Sequence, residues 1–226
     1  MKKIIMSAIC CTLAVTAAPF ASAQSDNYPT KPVRMISPFP PGGSVDNVAR
    51  LVGAKLGESL GQQVVIDNRS GASGNIGMEL AARAAPDGYT LVINTLPLVT
   101  NGFLYSRVPY DVINDFVPIS LLSASPSMLA VHPSVPARSV RELLQLAKTQ
   151  PGKLNYGAAG VGTNPHIAGE LFNLLGKVNI VVVQFKGGGP ALVATIGGEL
   201  GVSFSGVAET ATFVDAKRLR ALGVTG

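Results

Sequence analysis

Short apolar runs alternate along the chain with longer stretches in which apolar residues recur every three or four positions. The short runs predict strands, and the longer stretches predict amphipathic helices. The predicted strands are Val33–Ser37, Val64–Asp67, Thr90–Asn94, Val117–Leu122, Met128–His132, Leu154–Ala158, Asn179–Gln184, Gly201–Ser205 and Leu219–Thr225. The predicted helices are Val45–Leu60, Gly74–Ala84, Val140–Thr149, Pro165–Leu175, Pro190–Ile196 and Glu209–Ala216. Strands separated by helices indicate an α/β fold with mostly parallel sheets and helices on both faces.

The organisation changes near Ser120–Pro126, where one βαβαβ block ends and another begins. We therefore predict a first lobe over residues 24–123 and a second lobe over residues 124–226, joined by a short hinge. The 203 residues that follow residue 23 are enough for one large domain or two small ones.

The segment Pro38–Asp46 leads from the first predicted strand into the first predicted helix through two glycines. Gly42 and Gly43 carry no side chains at the point where the unpaired N–H groups of the helix start are exposed. Ser44 is placed to be the N-cap, and the carboxylate of Asp46 in the first turn suits the helix dipole. Such a loop can hold a carboxylate or a phosphate. A tight strand-to-helix turn without a ligand is the alternative.

Two further loops have the same form. Residues 157–166 contain three glycines and lead into a helix for which Thr163 or Asn164 can be the N-cap. The GxxGxG spacing, without a following Lys-Ser or Lys-Thr pair, matches neither the dinucleotide-binding fingerprint nor a P-loop. The third loop, Gln184–Pro190, also runs through three glycines. One loop in the first block and two in the second fit two lobes that face each other across a cleft.

The first 23 residues have the form of an export signal. Lys2 and Lys3 precede the apolar stretch Ile4–Ala18, and Ala21–Ala23 provides a small-residue cleavage site. We therefore predict a Sec-type signal peptide that is cleaved after Ala23, and a periplasmic protein. Both cysteines lie in this signal, so the exported chain has none. Without Lys2 and Lys3, 16 basic residues face 13 acidic ones, and this net charge of +3 without basic runs does not indicate nucleic-acid binding.

Few side chains of the exported chain could carry catalysis or bind a metal. Its only histidines are His132 and His166, and Ser44 lies in no G-x-S-x-G motif. We therefore predict no catalytic residues, no metal site and no cofactor. We interpret His132 as structural, whereas His166 is open between ligand contact and local capping. A hydrolytic enzyme is an alternative, less favoured than a binding protein.

Many stretches along the chain resemble one family. They are residues 38–46 (PFPPGGSVD), 67–77 (DNRSGASGNIG), 86–90 (PDGYT), 109–111, 114–116, 130–136, 151–157, 160–163, 165–166, 168–171, 186–187 and 189–191. In them the chain resembles the exported solute receptors of tripartite tricarboxylate transporters, often called Bug-type binding proteins. The resemblance implies a two-lobed, periplasmic-binding-protein-like (Venus-flytrap) fold. Such a protein closes on a small carboxylate and delivers it to membrane transporter subunits without catalysis. We expect a monomer, and a periplasmic sensor or adaptor is the alternative function.

The chain departs from the family pattern in its second half. Gln184-Phe185 stands where the family usually has Pro-Tyr, Gly201 stands where it has Asp, and residues 209–217 differ from the usual helix. Similar proteins run for roughly another third of their length and return to the first lobe, so we expect a truncated chain whose first lobe exposes apolar surface.

The predicted ligand-binding residues come from the three loops. They are Phe39, Pro41, Gly42, Gly43, Ser44, Asp46, Gly162, Thr163, His166, Lys186 and Gly187. Residues 42–44 would hold one carboxylate through backbone N–H groups, while the other loops approach from the second lobe. Asp46 is interpreted as a helix-start partner, although it could accept a hydrogen bond from an amino or amide group of a solute. Asn68 and Arg69 could be contacts at the rim of the site or ordinary loop residues, and the second interpretation is favoured.

Overall fold

A computed structural model describes residues 28–225, so the predicted signal peptide lies outside the described residues. The strands are β1 Val33–Ser37, β2 Val64–Asn68, β3 Thr90–Val92, β4 Ser127–Val131, β5 Asn155–Ala158, β6 Val181–Gln184, β7 Val202–Gly206 and β8 Arg220–Val224. The helices are α1 Ser44–Leu60, α2 Asn75–Ala82, α3 Pro97–Leu104, α4 Val140–Thr149, α5 Asn164–Gly176, α6 Gly188–Ile196 and α7 Val207–Asp215. A 3₁₀ turn, Ala72–Gly74, precedes α2.

The strands form two separate sheets. The first is wholly parallel and has the order β2-β1-β3. The second has the order β6-β5-β7-β4-β8; β5 pairs in parallel with β6 and β7, and β4 pairs antiparallel with β7 and β8. We call the first sheet with α1–α3 the first lobe, and the second sheet with α4–α7 the second lobe. The predicted two-lobed α/β fold is confirmed, with a second sheet that is mixed rather than mostly parallel. The lobe boundary at residues 123 and 124 stays a prediction.

Each sheet buries apolar side chains under its helices. In the first lobe, α1 packs against the sheet around Met35, Ala49 and Ile93. In the second lobe, β4 is buried on both faces, because alternate side chains of a strand point in opposite directions. Leu129 belongs to the cluster that includes α4 and α5, and Ala130 belongs to the one that includes α6 and α7. The cores therefore lie between layers, and the strand ends are left for loops.

Most predicted elements are present, with bounds that differ by a few residues. β1 and α4 match the predicted ranges, whereas α6 begins at Gly188 rather than Pro190. Helix α3 was not predicted. Within residues 28–225 no helix has the length and apolar character needed to cross a bilayer.

The predicted strand Val117–Leu122 is wrong. The segment has no regular structure, and the side chains of Val117, Ile119 and Leu121 are at least 80% exposed. Its β-branched and apolar residues favour an extended chain, but a strand also needs a pairing partner, which this segment lacks among residues 28–225. Apolar side chains are consequently exposed after α3.

Candidate functional site

The loop after β1 exposes the start of α1. Gly42 has φ +85°, a conformation that suits glycine, and Gly43 is the N-cap with φ −87° and ψ 171°. The prediction that Ser44 is the N-cap is wrong: Ser44 is the first helical residue, and no side chain caps the helix from the N-cap position. The first bond of the helix runs from the Asn47 N–H to the Gly43 carbonyl. Among residues 28–225, no acceptor lies within hydrogen-bond reach of the N–H groups of Gly43 and Ser44.

Asp46 is the polar centre of this loop and is only 2% exposed. Its Oδ2 accepts from the Gly42 N–H at 3.0 Å and from Arg50 Nε at 2.9 Å, and its Oδ1 accepts from Asn68 Nδ2 at 2.9 Å. Asn68 Nδ2 also donates to the carbonyl of Phe39 at 3.0 Å. These bonds hold the loop after β1 to the end of β2. The carboxylate of Asp46, rather than Ser44, therefore organises the start of this helix, and the backbone N–H that it accepts from, Gly42, precedes the N-cap.

The charge of Asp46 is stabilised in the folded protein. Burial alone would raise the pKa of this carboxyl, but hydrogen bonds from Arg50, Gly42 and Asn68 outweigh that effect and hold the pKa below its usual value. Both carboxylate oxygens are therefore engaged with the protein. This agrees with its interpretation as a helix-start partner.

The two other predicted contacts of this loop differ in exposure. Phe39 is buried, with its ring against Gly74, whereas Pro41 is exposed at the loop surface. Phe39 therefore supports the loop, and Pro41 borders solvent.

The loop after β5 leads into α5 in the second lobe, and Gly162 and Thr163 at the start of this helix are buried. Gly160 and Gly162 have positive φ angles, +115° and +78°. Thr163 is the N-cap, but its Oγ1 donates to the Gly160 carbonyl at 2.7 Å and does not cap the helix. His166 Nδ1 accepts from the Gly162 N–H at 3.3 Å. His166 thus has the local bonding role, while its second ring nitrogen has no partner among residues 28–225.

The loop after β6 leads into α6. Its N-cap, Gly187, is buried and has an extended backbone. Lys186 is exposed and makes no ion pair with any residue between 28 and 225. This loop therefore contributes a positive charge beside the start of a helix, where the dipole is also positive.

The loops of the two lobes meet. A Cβ built on Gly187 would lie 2.5 Å from Cγ of Pro40, and one built on Gly160 would lie 2.8 Å from Oγ of Ser73. Thr100 Oγ1 donates to the carbonyl of Gly162 at 3.0 Å. The structure thus brings the three predicted loops to one region between the lobes.

Part of this region was missed by the sequence reasoning, because it involves α3. Asn101 on α3 is 1% exposed, and its Nδ2 donates to the Ser73 carbonyl at 3.1 Å and to Asn75 Oδ1 at 2.8 Å. Tyr110 OH donates to the same Asn75 oxygen at 2.8 Å. The only available signal was Pro97, which suits the first turn of a helix. The cluster fixes α3 against the turn before α2, and so positions Thr100.

The groups available in this region suit an anion. The region combines free backbone N–H groups at helix starts with the ammonium group of Lys186. Within residues 28–225, no three His, Cys, Asp or Glu side chains are placed to bind a metal ion.

Comparison with known proteins gives one family. The model described as tripartite tricarboxylate transporter family receptor matches residues 48–226. The chain is 41% identical over 213 residues to the UPF0065 protein in the tcbD-tcbE intergenic region of Pseudomonas sp. (strain P51). It is 36% identical over 211 residues to Protein BugT of Bordetella pertussis. These matches cover 94% and 92% of this chain, but 63% and 65% of the relatives, so the chain spans less than two thirds of their length.

Solved structures agree with this assignment. R. palustris Rpa4515 with adipate matches with a TM-score of 0.85 and 37% identity, over 88% of this chain and 67% of that protein. MatC (Rpa3494) from Rhodopseudomonas palustris with bound malate matches with a TM-score of 0.82 and 30% identity, over 88% and 68%. The predicted resemblance is confirmed, and the family is described as one of transporter receptors. The chain belongs to the tripartite tricarboxylate transporter receptor family.

Proposed function

We propose that this protein is an exported receptor that captures a small carboxylate between its lobes and presents it to a tripartite tricarboxylate-type membrane transporter. The observation that carries the proposal is the convergence of the starts of α1, α5 and α6 on one interlobe region. A helix start favours a bound anion by about 0.3–1 kcal/mol, and by up to ~2 kcal/mol when it is partly buried. Two related proteins with bound adipate and malate support a carboxylate as the ligand.

The residues divide into contacts and supports. Gly43 and Ser44 would donate from the first lobe, since the Gly42 N–H is already bonded to Asp46. His166 through its free ring nitrogen and Lys186 through its ammonium group would donate from the second lobe. Asp46 would fix the loop rather than touch the solute.

Calorimetry tests the proposal directly. The exported chain, residues 24–226, is titrated with adipate, malate and succinate, and with glucose and putrescine as an uncharged and a cationic control. We expect heat and a rise in Tm with at least one carboxylate and with neither control. A response to glucose or putrescine and to no carboxylate would overturn the proposal. Loss of the carboxylate during incubation, followed by chromatography, would indicate an enzyme instead.

Gly43→Val tests whether the anion binds at the loop after β1. The backbone of Gly43 has a negative φ, and a Cβ there would meet nothing nearer than the Pro40 carbonyl oxygen at 3.9 Å, so the variant should fold. Its branched side chain would occupy the space over the free N–H groups. Loss of one charge-assisted hydrogen bond costs about 1.5–3 kcal/mol. We therefore expect Kd to rise at least about tenfold.

The matched control for this variant is Gly102→Val. Gly102 is an exposed residue of α3, and a Cβ there would meet nothing within 4 Å. It should bind the carboxylate as the unchanged protein does. If Gly43→Val folds and binds as tightly as Gly102→Val, the loop after β1 is not the anion site.

A further inference from the structure

The two lobes touch at positions where the second lobe has no side chains. Pro40 lies against Gly187, Ser73 lies against Gly160, and the side chains of Thr100 and Leu104 lie against Gly162. At all three glycines a Cβ would come within 2.8 Å of a first-lobe atom, a distance that real side chains do not reach. The contact between the lobes therefore depends on bare backbone at these points.

We propose that Gly187, Gly160 and Gly162 are closure seats: positions whose lack of a side chain lets the lobes approach, and which act on the ligand only through that approach. Gly162 and Gly187 were predicted from the sequence as ligand contacts, and this inference gives them a positioning role instead. The part of the inference that predicts carboxylate affinity rests on the proposed function. The part that predicts the distance between the lobes is independent of it.

Pro40 and Gly187 make the sharpest pair. The backbone of Gly187 is extended, with φ 172°, so alanine would not strain it. Its only obstacle is the ring of Pro40, with Cγ at 2.5 Å and Cδ at 3.1 Å. A proline ring is tied to its own backbone nitrogen and cannot rotate out of the way. An added methyl group must therefore separate the lobes.

The second contact contributes a hydrogen bond. The Oγ1 of Thr100 donates to the Gly162 carbonyl across the gap, and α3 is held in place by the buried amide of Asn101. A ligand can favour the closed form only if the lobes can reach that form. Both contacts thus bear on affinity without touching the solute.

The experiment measures the lobe separation directly. The exported chain has no cysteine, so cysteines at Glu58 and Lys148, one exposed residue in each lobe, can carry spin labels for pulsed distance measurement. In the ligand-free protein we expect one short distance for the starting chain and a longer or broader distribution for Gly187→Ala. Gly102→Ala is the matched control, because Gly102 is exposed, lies at none of the three helix starts, and a Cβ there would meet nothing within 4 Å. It should leave the distance unchanged.

Rescue distinguishes closure from a general structural effect. Pro40→Ala combined with Gly187→Ala removes the obstacle, and should return the short distance and the adipate affinity. We expect Gly187→Ala alone to weaken adipate binding about tenfold or more, and Gly102→Ala by less than about twofold. Thr100→Val, which keeps the side-chain shape and removes the donor, should also lengthen the distance.

The outcomes are separable. If Gly187→Ala keeps the short distance, or if the double variant is no closer to the starting chain than Gly187→Ala, the closure seats are refuted. If Gly187→Ala does not fold, Thr100→Val decides: an unchanged distance refutes the inference, and a lengthened one supports it. If the starting chain binds no carboxylate but the distances change and are rescued as described, the inference holds and the proposed function falls.

Discussion

Replacing Asp46 by Asn tests how the loop after β1 is organised. The carboxylate accepts from Gly42 and Arg50 on one oxygen and from Asn68 on the other. An amide has one oxygen and one NH₂ group, so in either orientation its nitrogen faces at least one of these donors. The variant keeps the size of the side chain but puts a donor against a donor in a buried place.

The size of the effect follows from the contacts. A hydrogen bond to a charged group contributes about 1.5–3 kcal/mol. The Arg50 side chain is 53% exposed, so its share is screened by solvent and is left out. We expect the free energy of unfolding to fall by about 2–3 kcal/mol. For a domain of this size, that corresponds to a drop in Tm of about 4–12 °C.

Urea and thermal unfolding of Asp46→Asn measure this loss at pH 7. The control is Glu58→Gln, which removes the carboxylate of an exposed pair with Lys55, and which we expect to have no measurable effect. If Asp46→Asn is no less stable than Glu58→Gln, the carboxylate does not hold the loop after β1. The proposed anion site at that loop would then lose its structural support.

Two further predictions concern stability. Gly169→Ala should lower the free energy of unfolding by about 1–3 kcal/mol, since its Cβ would lie 2.2 Å from the fully buried ring of Tyr156. Urea unfolding measures this loss, with Gly102→Ala as the control, and equal stability of the two variants would contradict the prediction. The second prediction concerns pH. Burial alone would raise the pKa of Asp46 and of Asp67, but the hydrogen bonds that each carboxylate accepts outweigh burial and hold its pKa below the usual value. The unfolded chain therefore takes up protons first, and stability should be level from pH 7 to 5 and fall below about pH 4. Unfolding curves between pH 2 and 7 test this, and a loss that begins near pH 6 would contradict it.

The elements that could be predicted are those with a local cause. Ser139 caps α4 by accepting from the Glu142 N–H at 3.2 Å, in a local Ser-x-x-Glu pattern, and α4 has the predicted bounds. The glycine loops were also visible, because a strand end followed by glycines and a helix start is a local pattern. In these places propensity and packing favour the same structure.

The errors arise where partners are distant in sequence. Val117–Leu122 has strand-forming residues but no pairing partner in the described chain, and pairing is not a local property. The antiparallel direction of β4 depends on β7 and β8, which come about 70 and 90 residues later. Helix α3 is short and contains Gly102, which lowers its helix propensity.

The candidate site divides in the same way. Which residues form the three loops could be predicted from the sequence, but not which of them face each other. Nothing local indicates that Ser73 meets Gly160 or that Thr100 donates to Gly162, since these contacts join segments about 60 to 90 residues apart. The wrong prediction for Ser44 has a similar cause. Asp46 is close to Ser44 in the sequence, but Asn68, which donates to Asp46 Oδ1, comes from the next strand.

The difference between residues that form the loops and residues that hold the lobes together affects how such a site could distinguish solutes. In the proposed site, backbone N–H groups, His166 and Lys186 would bind any carboxylate, because such donors recognise the anionic group and not the rest of the molecule. Discrimination must then depend on whether a solute spans the gap between donors of the first lobe and those of the second. On the closure-seat proposal, that gap would be set by the contacts of Pro40 with Gly187 and of Thr100 with Gly162, and these residues would not touch the solute. Length selectivity and anion affinity would therefore reside in different residues: the closure seats would control the first, and the helix starts the second.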